Sequence, residues 1–185
     1  MKQNNRDVEL GRFLSLVLRH NPAAAYIGLD ENGWADVDSL LAGCNRAGRK
    51  IDRETLERIV RENSKQRYKF NEDHTRIRAS QGHSVAVDVE MRECAPPEWL
   101  YHGTTSRSLE SIRTEGIKKG SRQHVHLSRD TETATQVGQR HGKPLLLRVS
   151  AAAMHRDSHK FWLSENGVWL CEHVPWVYVM QVEGG

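Results

Sequence analysis

The spacing of apolar residues changes along this chain, and the change limits the folds open to it. Up to about residue 62 the apolar residues recur at helical intervals, which predicts three amphipathic helices. Beyond residue 67 they fall in short, strand-like runs. The first helix is predicted from a stripe of five residues: Leu10, Phe13, Leu14, Val17 and Leu18. The pattern therefore predicts an α+β protein, with helices first and β-rich structure afterwards.

Aspartates mark the starts of the other two helices, because this side chain accepts hydrogen bonds from the free N–H groups of a first helical turn. Asp36 or Asp38 can cap the second helix, and Asp52 can cap the third.

A predicted hairpin follows, with strands at 68–70 and 76–79 around a polar loop. Helices followed by a two-stranded hairpin are typical of winged-helix units, which often bind nucleic acid. We therefore predict a winged-helix-like, RNA- or phosphate-binding lobe over residues 1–84.

The next segment separates this lobe from a second one. Residues 85–90 alternate as a strand does, and Pro96-Pro97 interrupts the run. We predict a linker at 85–97 and a second, β-rich lobe at 98–185. Its expected strands are 99–102, 124–128, 145–149, 168–171 and 177–182, and its expected helices are 106–115 and 131–139.

Composition excludes several protein classes. Charged residues make up 28% of the chain, and the mean hydropathy is −0.69. No apolar stretch approaches the roughly 20 residues of a membrane span, and no secretory signal opens the sequence. Three scattered cysteines cannot form a closed disulfide framework. We therefore expect a cytoplasmic protein that does not enter a membrane.

Positive charge is concentrated in one segment. Residues 46–78 contain 11 Lys or Arg against 6 Asp or Glu, a balance of +5, although the whole chain carries only +3. Such a run is often a solvated helix face with paired charges. However, SKQRYKF at 64–70 combines three cations with two aromatic residues and contains no acid. It predicts a phosphate-contacting surface, with Lys65 and Lys69 as candidate RNA contacts.

Two further strings, YHGTT at 101–105 and RQHVHLSRD at 122–130, are rich in histidine, hydroxyl groups and arginine. Strand alternation would place His124 and His126 on one face, with apolar residues on the other. The histidines could simply be hydrogen-bonded on an edge strand, or they could bind a metal. The chain has no CxxC or HExxH spacing, so we expect no metal site. A site for a polar, phosphorylated ligand remains as a third possibility.

Seven strings, in order along the chain, resemble the signature set of the NAD-dependent RNA 2'-phosphotransferases: LRHNP (18–22), KQRYKF (65–70), IRASQGHS (77–84), YHGTT (101–105), RQHVHLS (122–128), VGQRHGKP (137–144) and NGVWL (166–170). The resemblance implies a winged-helix-like N-terminal lobe and a C-terminal lobe of the ADP-ribosyltransferase fold, with the active site in the cleft between them. It implies NAD as co-substrate and 2'-phosphorylated RNA as partner. We expect no metal, and the sequence indicates no obligatory protein partner.

The resemblance also implies roles for particular residues. Arg19, Arg67 and Arg122 would bind phosphate, which suits the fixed fork geometry of arginine. His20 would assist proton transfer, either as a base or as a cationic donor. Gly103 would let a ligand approach the main chain closely. The implied NAD contacts are His102, Gly103, Thr104, His126, Ser128, Arg140, His141 and Gly142, although Arg140 to Gly142 could equally form a helix C-cap.

One departure separates this chain from protein-modifying enzymes of the same fold. Those enzymes commonly carry a glutamate on a later strand, and the resemblance aligns that position with Val168 of this chain. The absence fits an acceptor that is already a phosphate anion and needs no deprotonation. Two alternatives stay open at this point: an ADP-ribosyltransferase acting on nucleic-acid terminal phosphates or on protein, and a non-enzymatic nucleic-acid binder.

Overall fold

The computed structural model describes residues 5–89, 91–139 and 142–182. The chain divides into two compact units, Met1–Glu90 and Met91–Gly185, and each contains its own apolar core. Helices and strands occur in both units, so the predicted α+β class is confirmed.

Three helices form the first part of unit one: α1 (Asn5–Arg19), α2 (Val37–Arg46) and α3 (Arg53–Arg61). Four residues of the predicted α1 stripe are buried in the core, and Phe13 packs at its margin. Asp36 caps α2 by accepting from the Ser39 N–H at 2.7 Å. Asp52 caps α3 by accepting from the Thr55 N–H at 2.8 Å. The aspartate predictions are therefore confirmed, with Asp36 as the cap of α2.

A small antiparallel sheet completes unit one. It contains β1 (Ala35–Asp36), β2 (Tyr68–Phe70) and β3 (Arg76–Ala79), with β3 in the centre. Tyr68 pairs with Ala79 and Phe70 with Ile77, which confirms the predicted hairpin. β1 was not predicted, because two residues carry no recognisable alternation. The winged-helix description of this unit stays a prediction.

The strand-like alternation of residues 85–90 does not correspond to a strand in the described part, because residues 85 and 86 form bends and residues 85–89 join no ladder. Their main chain binds distant carbonyls: Val85 donates to Arg19, at the end of α1, and Asp88 donates to Glu31. The alternation has another cause, since Val89 is buried while its neighbour Asp88 is exposed. Burial thus alternates from one residue to the next along this segment, although the segment pairs with no strand.

The described residues of unit two form three sheets and three α-helices. Its strands are β4 (Arg92–Glu93), β5 (Leu100–Thr105), β6 (Ile117–Lys118), β7 (Val125–Leu127), β8 (Pro144–Val149), β9 (Phe161–Leu163), β10 (Trp169–Cys171), β11 (His173–Val174) and β12 (Val179–Gln181). The sheet orders are β4-β9-β10-β7, β12-β8-β5 and β11-β6. The helices are α4 (Leu109–Glu115), α5 (Thr131–Gly138) and α6 (Ala151–Arg156).

All five strands predicted for this unit are present, with shifted ends. The strand expected at 177–182 is shorter, because a 3-10 turn at Trp176–Tyr178 precedes β12. The helix expected at 106–115 begins with a 3-10 turn at Ser106–Ser108. β9, α6 and the two-residue strands β4, β6 and β11 were not predicted. No helix in the described part of the chain is both long and apolar enough to cross a membrane.

A single bridge brings the two strings YHGTT and HVHLS together. Tyr101, in β5, and Ser128, just after β7, exchange both main-chain hydrogen bonds at 2.8 Å. β5 also pairs along its whole length with β8, from Leu100 opposite Val149 to Thr105 opposite Pro144. β5 therefore lies between β8 and the end of β7, and the polar residues of both strings become neighbours.

Candidate functional site

The first group of candidate residues lies where α1 ends in unit one. Arg19 is its last residue and is only 8% exposed. Its guanidinium Nη2 donates to the main-chain oxygen of Arg67 at 3.5 Å. His20 follows directly and is exposed. The structure thus brings Arg19, His20 and Arg67, which the sequence predicts as functional, into one place.

Asn63 organises the loop that carries Arg67. Its side-chain Oδ1 accepts from the N–H groups of Lys65 at 3.2 Å and Arg67 at 3.3 Å, and from the Arg67 guanidinium at 3.5 Å. Asn63 is 8% exposed, so a buried amide fixes both the main chain and the side chain of Arg67.

Ser80, which directly follows β3, also binds the loop that carries Arg67. Its N–H donates to the Arg67 oxygen at 2.9 Å, and its hydroxyl donates to the Gln66 oxygen at 3.0 Å. Gln66 has a φ of 45°, in the left-handed region that costs a residue with a side chain some energy. The bonds from Ser80 and Asn63 stabilise this strained turn.

Segment 83–85 covers the end of α1. The last carbonyls of a helix lack partners within the helix. The Arg19 oxygen accepts from the Ser84 N–H at 2.9 Å and from the Val85 N–H at 3.4 Å. The Ser84 hydroxyl also shares a hydrogen bond of 2.9 Å with Nδ1 of His20.

His83, in the same segment, is 1% exposed. Among the described residues its Nε2 has no hydrogen-bond partner. Burial, and after it the nearby charges of Arg19, His20 and Arg78, together lower the pKa of His83 to about 4. His83 is therefore neutral at physiological pH, so it adds no charge beside the two arginines.

Lys69 and Arg78 form a cationic pair across the hairpin. They lie opposite each other in β2 and β3. Both contact the ring of Trp34: the Arg78 guanidinium carbon lies 4.6 Å from the ring centroid, and the Lys69 Nζ lies 5.3 Å from it. The aromatic ring offsets part of the repulsion between two opposed cations. Lys65 lies on the Asn63 loop instead, so the two predicted RNA contacts occupy different parts of unit one.

The second group of candidate residues lies at the β5–β7 junction in unit two. Nδ1 of His102 is 3.1 Å from the main-chain oxygen of His126. A carbonyl oxygen only accepts, so Nδ1 carries the proton and Nε2 keeps its lone pair. Burial lowers the pKa of His102, and the positive charge of Arg122 lowers it as well, while the bond to His126 raises it. This ring is therefore a neutral acceptor at Nε2.

Arg122 contacts the side chain of His126, with Nη1 of the guanidinium 3.3 Å from Nδ1 of the ring. A guanidinium only donates, so Nδ1 of His126 accepts and its proton is on Nε2. Arg122 is exposed. The structure thus brings together Arg122, His126 and His102, all of which the sequence predicts as functional.

His124 has different surroundings from His126. It contacts the Trp162 ring and lies 3.7 Å from a carboxylate oxygen of Glu172. Burial lowers its pKa, Glu172 raises it and Lys119 lowers it. Within residues 5–89, 91–139 and 142–182, no three His, Cys, Asp or Glu side chains are grouped so that they could hold a metal ion.

Gly103 has a packing role in addition to the role predicted from the sequence. A Cβ at this position would lie 1.7 Å from the Ala134 oxygen and 2.9 Å from the Gly138 nitrogen. Gly138 is similarly constrained, since its Cβ would lie 2.8 Å from the Thr104 oxygen. The two glycines let α5 pack directly on β5. Close helix packing therefore requires glycine at position 103, and the approach of a ligand to this residue stays a prediction.

The structure describes some, but not all, of the other residues of unit two that the sequence singles out. Thr104 is buried in β5, and Ser128 is fixed through its main-chain bonds to Tyr101. Gly142 has a φ of 131°. Arg140 and His141 lie outside the described residues. Val168 lies in the turn before β10, where its N–H donates to the Ser164 hydroxyl.

Sequence reasoning assigned no role to several residues that hold these groups in place: Trp34, Asn63, Ser80, His83 and Ser84. The strings KQRYKF and IRASQGHS contain or adjoin most of them. Their partners lie up to 65 positions away, as for Ser84 and Arg19, so only the fold reveals what they contact.

Comparison with known proteins gives one consistent result. The family model described as "RNA 2'-phosphotransferase, Tpt1 / KptA family" matches residues 5–173.

Three similar proteins each carry the name "Probable RNA 2'-phosphotransferase". That of Fusobacterium nucleatum is 56% identical over 172 residues, which cover 92% of this chain and 96% of the relative. That of Flavobacterium johnsoniae is 54% identical over 170 residues, covering 92% and 93%. That of Streptomyces coelicolor is 49% identical over 177 residues, covering 96% of each. A family model spanning most of the chain, with relatives of nearly the same length, shows that this chain belongs to the Tpt1 / KptA family of RNA 2'-phosphotransferases.

Proposed function

We propose that this protein removes an internal 2'-phosphate from RNA by transferring it to NAD. The observation that carries the proposal is the contact between Arg19 and Arg67 beside His20, in a chain of this family. A site for a phosphate needs permanent cations in a fixed geometry. The Asn63 and Ser80 bonds supply that rigidity on the Arg67 side.

In the first step, an oxygen of the RNA 2'-phosphate attacks the anomeric carbon of the nicotinamide ribose. The bond from that carbon to the nicotinamide nitrogen breaks, and its electron pair leaves with neutral nicotinamide. The attacking group is already an anion, so no general base is required, which fits the valine at position 168. Arg19 and Arg67 orient the phosphate, and Arg122 is the third guanidinium that we assign to it.

In the second step, the adjacent ribose 2''-hydroxyl attacks the same phosphorus atom. The bond between phosphorus and the RNA 2'-oxygen breaks, and that oxygen takes up a proton. The products are RNA with a 2'-hydroxyl and ADP-ribose 1'',2''-cyclic phosphate. One proton leaves the attacking hydroxyl and one reaches the leaving oxygen, so we assign proton transfer to His20.

Residues of unit two suit the recognition of NAD. His102 presents a neutral Nε2 lone pair, which can accept a hydrogen bond from a ribose hydroxyl. His126 holds Arg122 through Nδ1 and keeps a proton on Nε2 to donate. An acceptor and a donor on adjacent strands match the hydroxyl groups of a dinucleotide. Lys65 and Lys69, on the basic segment of unit one, are the assigned contacts to the RNA backbone.

One assay tests the proposal directly. The protein is incubated with NAD and an oligoribonucleotide carrying one internal 2'-phosphate, and free nicotinamide and ADP-ribose cyclic phosphate are measured. The matched control is the same oligonucleotide without the 2'-phosphate. We expect equal amounts of both products from the phosphorylated RNA and neither from the control.

Other outcomes would contradict the proposal. Stable ADP-ribosylated RNA or protein, with no cyclic phosphate released, would indicate an ADP-ribosyltransferase instead. Tight RNA binding without release of nicotinamide would indicate a non-enzymatic binder.

A further inference from the structure

Ser84 is the only residue of segment 83–85 for which the structure gives both a main-chain and a side-chain bond to the end of α1. Its N–H donates to the Arg19 oxygen, and its hydroxyl bonds to Nδ1 of His20. We propose that Ser84 is a positioning residue, which holds the His20 imidazole so that Nε2 is the atom that transfers the proton. The inference rests on the role proposed above for His20.

The geometry selects the nitrogen. An imidazole has two nitrogens, on different sides of the ring. The Ser84 hydroxyl engages Nδ1 at 2.9 Å, so Nε2, on the other side of the ring, is the nitrogen that we assign to the substrate. A hydroxyl can donate to neutral His20 or accept from the protonated ring, so the bond persists in both charge states. A group that must take up and release a proton needs such a partner.

The main chain fixes the hydroxyl in place. The Ser84 N–H is bonded to Arg19, the last residue of α1, so the serine main chain is tied to the helix end that directly precedes His20. Neighbouring Val85 donates to the same Arg19 oxygen, and buried His83 anchors the other side of Ser84. The exposed hydroxyl is therefore carried by a fixed main chain.

The contribution of this bond should be larger for catalysis than for stability. Both side chains are exposed, so water can replace the hydrogen bond at little cost to folding. Proton transfer, however, requires the donor and acceptor within about 2.6–3.2 Å, and a small misorientation lowers the rate steeply.

The test compares Ser84→Ala with Ser84→Thr, which keeps the hydroxyl, and with Ser39→Ala, an exposed serine at the start of α2. Single-turnover reactions with NAD and the 2'-phosphorylated oligonucleotide follow both steps separately. For Ser84→Ala we expect cyclic phosphate formation to slow about tenfold or more, with ADP-ribosylated RNA accumulating. Nicotinamide release should change less than about twofold. Ser84→Thr should recover most of the second-step rate, and Ser39→Ala should match the unmodified protein.

A double-mutant cycle with His20→Ala shows whether Ser84 acts through His20. In the His20→Ala background, Ser84→Ala should cause no additional loss. An equal loss in both backgrounds would overturn the inference, and so would a Ser84→Ala second-step rate equal to that of Ser39→Ala. If the unmodified protein released no nicotinamide from the phosphorylated RNA, the proposed function would fail first, and the inference with it.

Discussion

The guanidinium of Arg19 donates from Nη2 to the main-chain oxygen of Arg67, across 48 positions of sequence. Arg19 ends a helix and Arg67 precedes a strand, so the contact joins the helical and sheet parts of unit one. Two residues that repel each other are held close by bonds to neutral groups, the Arg67 carbonyl and the Asn63 amide. An anion bound beside them would gain from both charges.

Arg19→Ala and Arg67→Ala should each lower kcat/KM for the 2'-phosphorylated oligonucleotide by about a hundredfold or more, because each removes a fixed cation from the phosphate. Lysine at either position should recover little, since it lacks the planar fork. Arg12→Ala, an exposed position on α1, is the control and should be nearly silent. An unchanged rate for Arg19→Ala or Arg67→Ala would remove that residue from the mechanism.

Gly103→Ala should destabilise unit two rather than affect ligand binding alone. The new Cβ would lie 1.7 Å from the Ala134 oxygen, and that main-chain atom cannot move without displacing α5. We expect a loss of about 3 kcal/mol or more in the free energy of unfolding, measured by denaturant titration. Gly11→Ala, in a helix with open space around it, should be neutral or slightly stabilising. Normal stability with lost NAD binding would favour the ligand explanation instead.

The stability of the protein should fall on mild acidification because of His83. Its pKa is about 4 in the folded protein and near its ordinary value of 6.5 when unfolded. The unfolded chain therefore binds the proton first, and stability is lost as the pH falls from about 6.5 towards 4. The loss at this residue is on the order of 3 kcal/mol.

Urea unfolding at several pH values, compared with His83→Leu, measures this contribution. Between pH 6.5 and 4, the free energy of unfolding of the variant should change less steeply with pH. The difference in slope should correspond to the uptake of at most one proton on unfolding. The lowered pKa values of His102 and His124 leave a residual slope in both proteins. Identical slopes would show that His83 is not buried as a neutral ring.

The substitution His102→Asn should distinguish the role of Nδ1 of His102 from the role of its Nε2. The asparagine amide can still donate to the His126 oxygen, but it has no acceptor in the place of Nε2. We expect the Kd for NAD, measured by calorimetry, to rise about tenfold, while the melting temperature changes little. His155→Asn is a matched control, because His155 makes a similar bond to the His159 oxygen. Unchanged NAD affinity for His102→Asn would exclude Nε2 as a ligand contact.

The sequence alone determined the elements whose cause is local. The α1 stripe, the Asp36 and Asp52 caps and the β2–β3 hairpin all depend on residues a few positions apart. Propensity and periodicity describe such contacts well. The motif strings similarly single out Arg19 and Arg67, through the resemblance that they carry to the family.

Only the tertiary structure decided what depends on distant partners. Residues 85–89 alternate like a strand, yet their main chain bonds to Arg19 and Glu31 instead of to a ladder. Gly103 is required by α5, about 30 positions further along the chain. Ser84 meets His20 across 64 positions. Hydrogen bonding and close packing act through space, so residue spacing determines which side chains can do chemistry, whereas the fold determines which neighbours hold them in place.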